Sequence, residues 1–327
     1  MKLALLGFGN VGRALLNLLE RRLGQHPFRV VGIHTSRQGT LICPEGIAAP
    51  PTLGPRMATV EEFLDAARAD ILAELTSLNP ESGEPAISHI RAAFARGMHA
   101  VSANKGPVAF AYRELADEAA RSGLRFLHES ATMDGTPVYN LVRHCLPGVR
   151  VLGFAGALNS TTKIIIDAME RGLGFEEGIE EARRLGVTEA DAGFDIEGWD
   201  SACKAAALAN VFMDARTTPQ QVDRKGISRL TPEKLAELRA KGKTVALISR
   251  GRATPQGVKL RVRAEVLDRT DVLASMRGTS NLLEIETDLM GTIGVFALNP
   301  GVDQTAYGVY SDLLEIARHS TMNRPEG

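Results

Sequence analysis

A chain of 327 residues with 44% hydrophobic and 24% charged residues has the make-up of an ordinary globular protein, and its length suits two domains better than one. With 38 basic and 39 acidic residues the formal net charge is -1, so no global field draws the chain to nucleic acid or an anionic membrane surface. Cys43, Cys145 and Cys203 are far apart and outside metal-ligand spacing, and no apolar stretch approaches the roughly 18 residues of a membrane span; a reducing cytoplasm is expected, with no disulfide framework.

Residues 3–6 read as a buried strand, and Val11, Leu15, Leu16, Leu18 and Leu19 recur with helical spacing over 10–22. A second apolar run, 28–33, completes a βαβ unit of mononucleotide-binding length. Residues 38–57, rich in proline and glycine, read as a loop with one short strand at most. Thr59-Val60-Glu61-Glu62 has capping-box spacing and starts a helix to about residue 69. Strands at 70–75, 99–102 and 124–128 then alternate with helices at 85–97 and 107–123, the rhythm of a doubly wound parallel sheet.

Past residue 135 the pattern changes. A strand at 149–158, three helices between 161 and 214, a basic polar connection, an alternating strand at 258–266 and a strand-like stretch at 282–296 predict an α+β domain. Its sheet is expected to be mixed or antiparallel, helix-covered on one face, and suited to substrate binding and a homodimer contact. The fold class is therefore α/β, with a Rossmann nucleotide-binding domain at 1–135 and a substrate and dimerisation domain at 136–304. The last helix, 305–327, is expected to pack back on the first domain.

In Gly7-Phe8-Gly9-Asn10-Val11-Gly12 the first glycine permits a tight turn, the second lets the backbone approach a pyrophosphate, and the third allows helix to close on strand. Asn10 and Val11 open the helix whose N-terminal N-H groups face the phosphates. A site for NAD usually has an acidic residue at the end of the second strand, but here the chain reads Ile33-His34-Thr35-Ser36-Arg37. The Ser36 hydroxyl and Arg37 guanidinium suit a 2'-phosphate, so NADP is expected, with NAD as the alternative.

The second concentration of chemistry is Glu189, Asp191, Asp195, Glu197, Asp200 and Lys204, followed by an alanine-rich helix. Asp200 is placed to cap that helix, and Lys204, four residues on, shares its face, which makes a carboxylate and ammonium pair fit to handle a proton. The bland reading is a surface cap with an i,i+4 ion pair worth only about 0.3–0.5 kcal/mol.

Taken together these residues resemble homoserine dehydrogenase over nearly the whole chain. Beyond the glycine loop, Ala73-Glu74-Leu75-Thr76 and Ser102-Ala103-Asn104-Lys105-Gly106-Pro107 look like that family's strand ends facing the nicotinamide. Asn159-Ser160-Thr161-Thr162 is similar to its substrate turn, and Glu189 through Asp200 to Lys204 keeps its acidic spacing. The resemblance implies a hydride exchanged between NAD(P) and a small amino-acid alcohol/aldehyde pair, L-homoserine and L-aspartate 4-semialdehyde. It adds Thr76, Ser102, Asn104 and Gly301 to the cofactor contacts, Glu189 as partner of the substrate ammonium, Asp195 as support for the lysine, and Thr161 as a donor to the substrate carboxylate. It also implies a monovalent cation near 129–136.

Lys204 is expected to be the principal acid/base, oriented by Asp200, with Lys105 polarising the reacting oxygen. Two ammonium groups facing one cavity would depress each other's pKa, and the residues allow their roles to be exchanged. Where the family has glycine, asparagine-tyrosine and tyrosine, this chain has Ser160, Lys163-Ile164 and Val187-Thr188. Those departures leave room for another small hydroxy or oxo acid, and a non-enzymatic nucleotide sensor is the alternative from a different class.

Overall fold

The computed structural model describes residues 1–188 and 192–322, which form two compact units. The first is built from Met1–Asn140 with the C-terminal helix, the second from Leu141–Pro300.

In the first unit the strands are β1 (Lys2–Leu6), β2 (Arg29–Thr35), β3 (Gly39–Ile42), β4 (Ile71–Glu74), β5 (His99–Ser102) and β6 (Phe126–Leu127). They lie in the order β3-β2-β1-β4-β5-β6 and are parallel except for β3, which runs antiparallel to β2. Strand β1 is apolar throughout because both its faces are covered. Leu3 and Leu5 join one core with α1 (Asn10–Arg21) and the C-terminal helix Val302–Met322, whereas Ala4 and Leu6 join another with α2 (Val60–Ala67) and Ala93 of α3 (Ala86–Phe94). The Thr59 capping box forms as expected, Thr59 Oγ accepting from Glu62 N at 3.1 Å. Helix α4 spans Lys105–Arg121, and the short turn α5 Val138–Asn140 ends the segment. The C-terminal helix is tied to this unit by Ser130 Oγ donating to Thr305 O at 2.6 Å and Glu129 N donating to Asp312 Oδ2 at 2.8 Å.

The second unit has a mixed six-stranded sheet, β12-β11-β7-β9-β10-β8, from β7 (Val151–Ala157), β8 (Asp223–Arg224), β9 (Lys243–Thr254), β10 (Gly257–Asp268), β11 (Asn281–Thr287) and β12 (Gly291–Ala297). All its pairings are antiparallel except β8 with β10. Its helices are α6 (Ser160–Glu170), α7 (Phe175–Arg184), the single turn α8 (Gly193–Ile196), α9 (Trp199–Met213) and α10 (Pro232–Ala240). Ala205, Ala206, Ala207 and Ala209 are wholly buried, and so small a side chain lets α9 lie close on β9 and β10.

Three elements depart from expectation. The stretch expected to be a basic connection contains β9, one of the two longest strands, because Thr244 to Ser249 is an apolar core run whose signal the flanking Lys241, Lys243, Arg250 and Arg252 obscured. The 282–296 stretch is a hairpin, turning at Asp288 to Met290, and α8 is an additional helical turn. Among the described residues, no helix is long and apolar enough to cross a membrane.

Candidate active site

The glycine loop has the backbone its chemistry needs. Gly7 sits at φ +96°, and a Cβ there would stand 2.5 Å from Leu75 O, so both conformation and space require glycine. A Cβ on Gly12 would lie 2.8 Å from Gly7 O, whereas at Gly9 it would meet nothing within 4 Å. That open space leaves the backbone at Gly9 bare, with room for a pyrophosphate. Gly9 caps α1 without a side-chain bond, and the first turn has no acidic residue, which leaves the N-H groups of Asn10 and Val11 and the positive helix end to an anion.

At the end of β2, Ser36 and Arg37 are exposed, and the β3 excursion brings a second guanidinium beside them. Arg56 Nη1 donates to Ser36 O at 3.4 Å. Burial, then the Arg56 charge and His89, hold the neighbouring His34 below its usual pKa. Nothing in the sequence singled out Arg56, which lies in a loop without period; the Thr40 to Gly54 bridge and Met57 N donating to Thr40 Oγ at 3.1 Å carry that loop back to the strand end.

At the ends of β4 and β5 the hydroxyls expected to meet the cofactor turn inward. Glu74, wholly buried, accepts from Ser102 Oγ at 3.1 Å, from Thr76 N at 3.2 Å and from Thr76 Oγ, and His89 Nδ1 stands 3.7 Å away. Ser102 is itself fully buried, so its side chain supports the site from beneath instead of lining it. The Asn104 amide likewise serves the protein: it caps α4 by accepting from Gly106 N at 2.8 Å and donates to Thr76 O and Ser77 O, both at 3.2 Å. Lys105 is thereby fixed as the first residue of α4, half-buried at the helix mouth.

The second unit gathers the acidic motif around one amide. Asn159 caps α6 by accepting from Thr162 N at 2.8 Å, and its Nδ2 donates to Asp195 Oδ1 at 2.6 Å and Asp200 Oδ2 at 3.0 Å. Asp200 pairs with Lys204 Nζ at 3.2 Å, and the same ammonium donates to Leu158 O at 2.6 Å. Both partners are largely buried, which takes the pair out of the solvated-surface class. Burial first, and the Asp200 charge second, raise the Asp195 pKa, against the opposing bonds from Asn159 and Thr161 and the charge of Lys204.

Two expectations need correction here. Asp200 is not the cap: Gly198, at φ +80°, fills that place, and Asp200 lies inside the first turn. Thr161 Oγ, expected to serve a substrate carboxylate, donates to Asp195 Oδ2 at 2.9 Å and to Val187 O at 3.3 Å, so it orders the acids instead. Arg224 stacks on Trp199 with its guanidinium carbon 3.8 Å from the ring centre and donates to Glu197 O, clamping the approach to α9. Gly301 precedes the C-terminal helix, its N-H donating to Gln304 Oε1 at 2.9 Å. Glu189 and Asp191 lie outside the described residues. Lys163, a departure from the family pattern, is buried and donates to Ala157 O at 3.2 Å and Asn281 Oδ1 at 2.8 Å. Among the described residues, no group of three or more His, Cys, Asp or Glu is arranged to hold a metal ion.

The homoserine dehydrogenase family model matches residues 137–314, and the model for the homoserine dehydrogenase NAD binding domain matches 7–129. The NAD(+)-dependent homoserine dehydrogenase of Pseudomonas canavaninivorans is 34% identical over 341 residues, covering 98% of this chain and 97% of its own. The homoserine dehydrogenase of Methanocaldococcus jannaschii is 34% identical over 337 residues, covering 97% and 98%. A homoserine dehydrogenase structure from Thiobacillus denitrificans superposes with a TM-score of 0.86 at 28% identity, over 99% of this chain and 74% of that one. With a glycine cradle open to a dinucleotide and a buried carboxylate and ammonium pair already in place, the chain belongs to the homoserine dehydrogenase family and is an NAD(P)-dependent oxidoreductase.

Proposed function

We propose that the protein interconverts L-homoserine and L-aspartate 4-semialdehyde, with NADP preferred over NAD. The observation that carries the reaction is the Lys204 ammonium, held between Asp200 and the Leu158 carbonyl in a largely buried place. In the reductive direction the Lys204 ammonium gives a proton to the carbonyl oxygen and is left as the neutral amine, and in oxidation it is that amine that takes the hydroxyl proton; Asp200 fixes its direction. Lys105, held at the mouth of α4, polarises the reacting oxygen. Asn159 and Asp195 keep Asp200 in place, and Glu189 takes the substrate ammonium. The nicotinamide, when bound, accepts or supplies the hydride.

Ser36, Arg37 and Arg56 support NADP, since two guanidinium groups beside a strand end without a carboxylate suit a 2'-phosphate. That Lys163 is spent on Ala157 and Asn281 supports homoserine over another acid, because this departure from the family pattern lies beneath the substrate turn. The edge strand β12, with Phe296 60% exposed in it and Leu298 65% exposed just past its end, supports a homodimer formed through this sheet. A reducing cytoplasm suits the exposed Cys145.

Steady-state turnover of homoserine with each nicotinamide cofactor tests the reading. We expect turnover with both and a higher kcat/KM with NADP. No rate with homoserine beside a good rate with another small alcohol rejects the substrate, and a clear NAD preference rejects the role given to the arginines.

A further inference from the structure

We propose that Glu74 is a positioning residue for hydride transfer: its buried carboxylate sets the height of the two strand ends, and of the Asn104 to Lys105 helix mouth, beneath the nicotinamide. The inference rests on the cofactor lying across the carboxyl ends of β1, β4 and β5, as the proposed function requires.

A carboxylate only accepts, and this one takes three donors from two separate segments. Oε1 receives Thr76 N and Thr76 Oγ from the strap after β4, and Oε2 receives Ser102 Oγ, whose residue pairs in register with Glu74 across the sheet. The Asn104 amide closes the circuit by donating to Thr76 O and Ser77 O while capping α4. The Thr76 and Ser102 hydroxyls both point to Glu74, leaving the exposed face of the straps to backbone, Ser77 and Lys105. Holding a carboxylate at zero exposure is costly, and a leucine or methionine at a strand end serves packing better. The strand itself does not need the charge, since β4 pairs with β1 and β5 through its backbone. What the charge adds is a fixed distance between two straps. That matters because a misplacement of about 1 Å costs on the order of 10²-fold in rate.

The test compares Glu74→Gln and Glu74→Met with the wild-type enzyme. Three readouts are used: the affinity for ADP-ribose, which lacks the nicotinamide; the fluorescence of bound NADPH; and kcat with the primary isotope effect from deuterated NADPH. In Glu74→Met we expect ADP-ribose affinity within about threefold of wild type, loss of the bound NADPH fluorescence signature, and kcat down about 30-fold or more with a larger isotope effect. Glu74→Gln keeps one acceptor for Thr76, and the Ser102 hydroxyl can reverse to accept from the amide, so kcat should fall only about two- to fivefold, also with a larger isotope effect. Should the methionine variant not fold, the glutamine variant carries the test by its isotope effect.

The proposal is overturned if the methionine variant keeps its kcat and isotope effect, if ADP-ribose and NADPH binding fall together, or if the two variants lose equally. A wild-type enzyme that binds ADP-ribose and NADPH but does not turn over homoserine refutes the assigned reaction instead, and the fluorescence comparison still reads out Glu74.

Discussion

Asn159→Asp should weaken the second unit most at alkaline pH, and the reason lies in one amide nitrogen. The substitution is nearly isosteric and keeps the α6 cap, because aspartate caps as well as asparagine and the Oδ1 to Thr162 N bond survives. It replaces the donor that Asp195 and Asp200 share with a third carboxylate oxygen, at contacts of 2.6 and 3.0 Å. Two hydrogen bonds to charged groups, at about 1.5–3 kcal/mol each, are lost, so roughly 3–6 kcal/mol of stability should go at pH 8. Burial and the Asp200 charge already raise the Asp195 pKa above 3.8, and the Asn159 bond opposes that shift. A group raised in the folded state contributes stability fully below its unfolded value, and the contribution is lost as pH climbs through the folded one. Without the amide the shift grows, so the deficit against wild type must widen from pH 5.5 to pH 8. Trp199, the sole tryptophan, stands at the start of α9 beside Asp200 and reports unfolding by its fluorescence. With a urea slope of about 2 kcal/mol/M, the midpoint at pH 8 should drop by about 1.5–3 M. An equal deficit against wild type at both pH values, or a larger one at pH 5.5, refutes the reasoning.

Three further outcomes are expected. Lys204→Ala should lower kcat by about 10²–10⁴ with the cofactor Kd nearly unchanged, and a weakened cofactor complex at normal kcat contradicts its assignment as acid/base. Gly7→Ala should destabilise the fold, since the new methyl stands 2.5 Å from Leu75 O, whereas Gly9→Ala should leave the melting temperature alone and weaken the cofactor by about tenfold or more; calorimetry and thermal melting separate the two. The double substitution Arg37→Ala with Arg56→Ala should cut kcat/KM for NADP by about tenfold or more and spare NAD, and equal losses for both cofactors count against a 2'-phosphate site.

Motifs with local causes could be read directly from the chain. The glycine loop, the Thr59 capping box and the parallel alternation each depend on neighbours within a few residues, and each is present where the spacing placed it. Strand β9 was hidden because arginines and lysines flank its apolar run, and their charge dominates any count of composition. The pairing of Asp200 with Lys204 follows from helical spacing, but the partner that orders Asp200 does not: Asn159 is 41 residues away.

By itself, then, the sequence determined the elements whose causes are local, the dinucleotide loop, and the residue types from which a proton-handling pair is made. Only the tertiary structure decided which way those side chains face. It turned Thr76, Ser102 and Thr161 inward to buried carboxylates, took the cap of α9 from Asp200 and gave it to Gly198, and brought Arg56 to Ser36 across a turn. The physical reason is that a buried carboxylate must find donors, and those donors come from whatever segments the sheet pairing sets beside it.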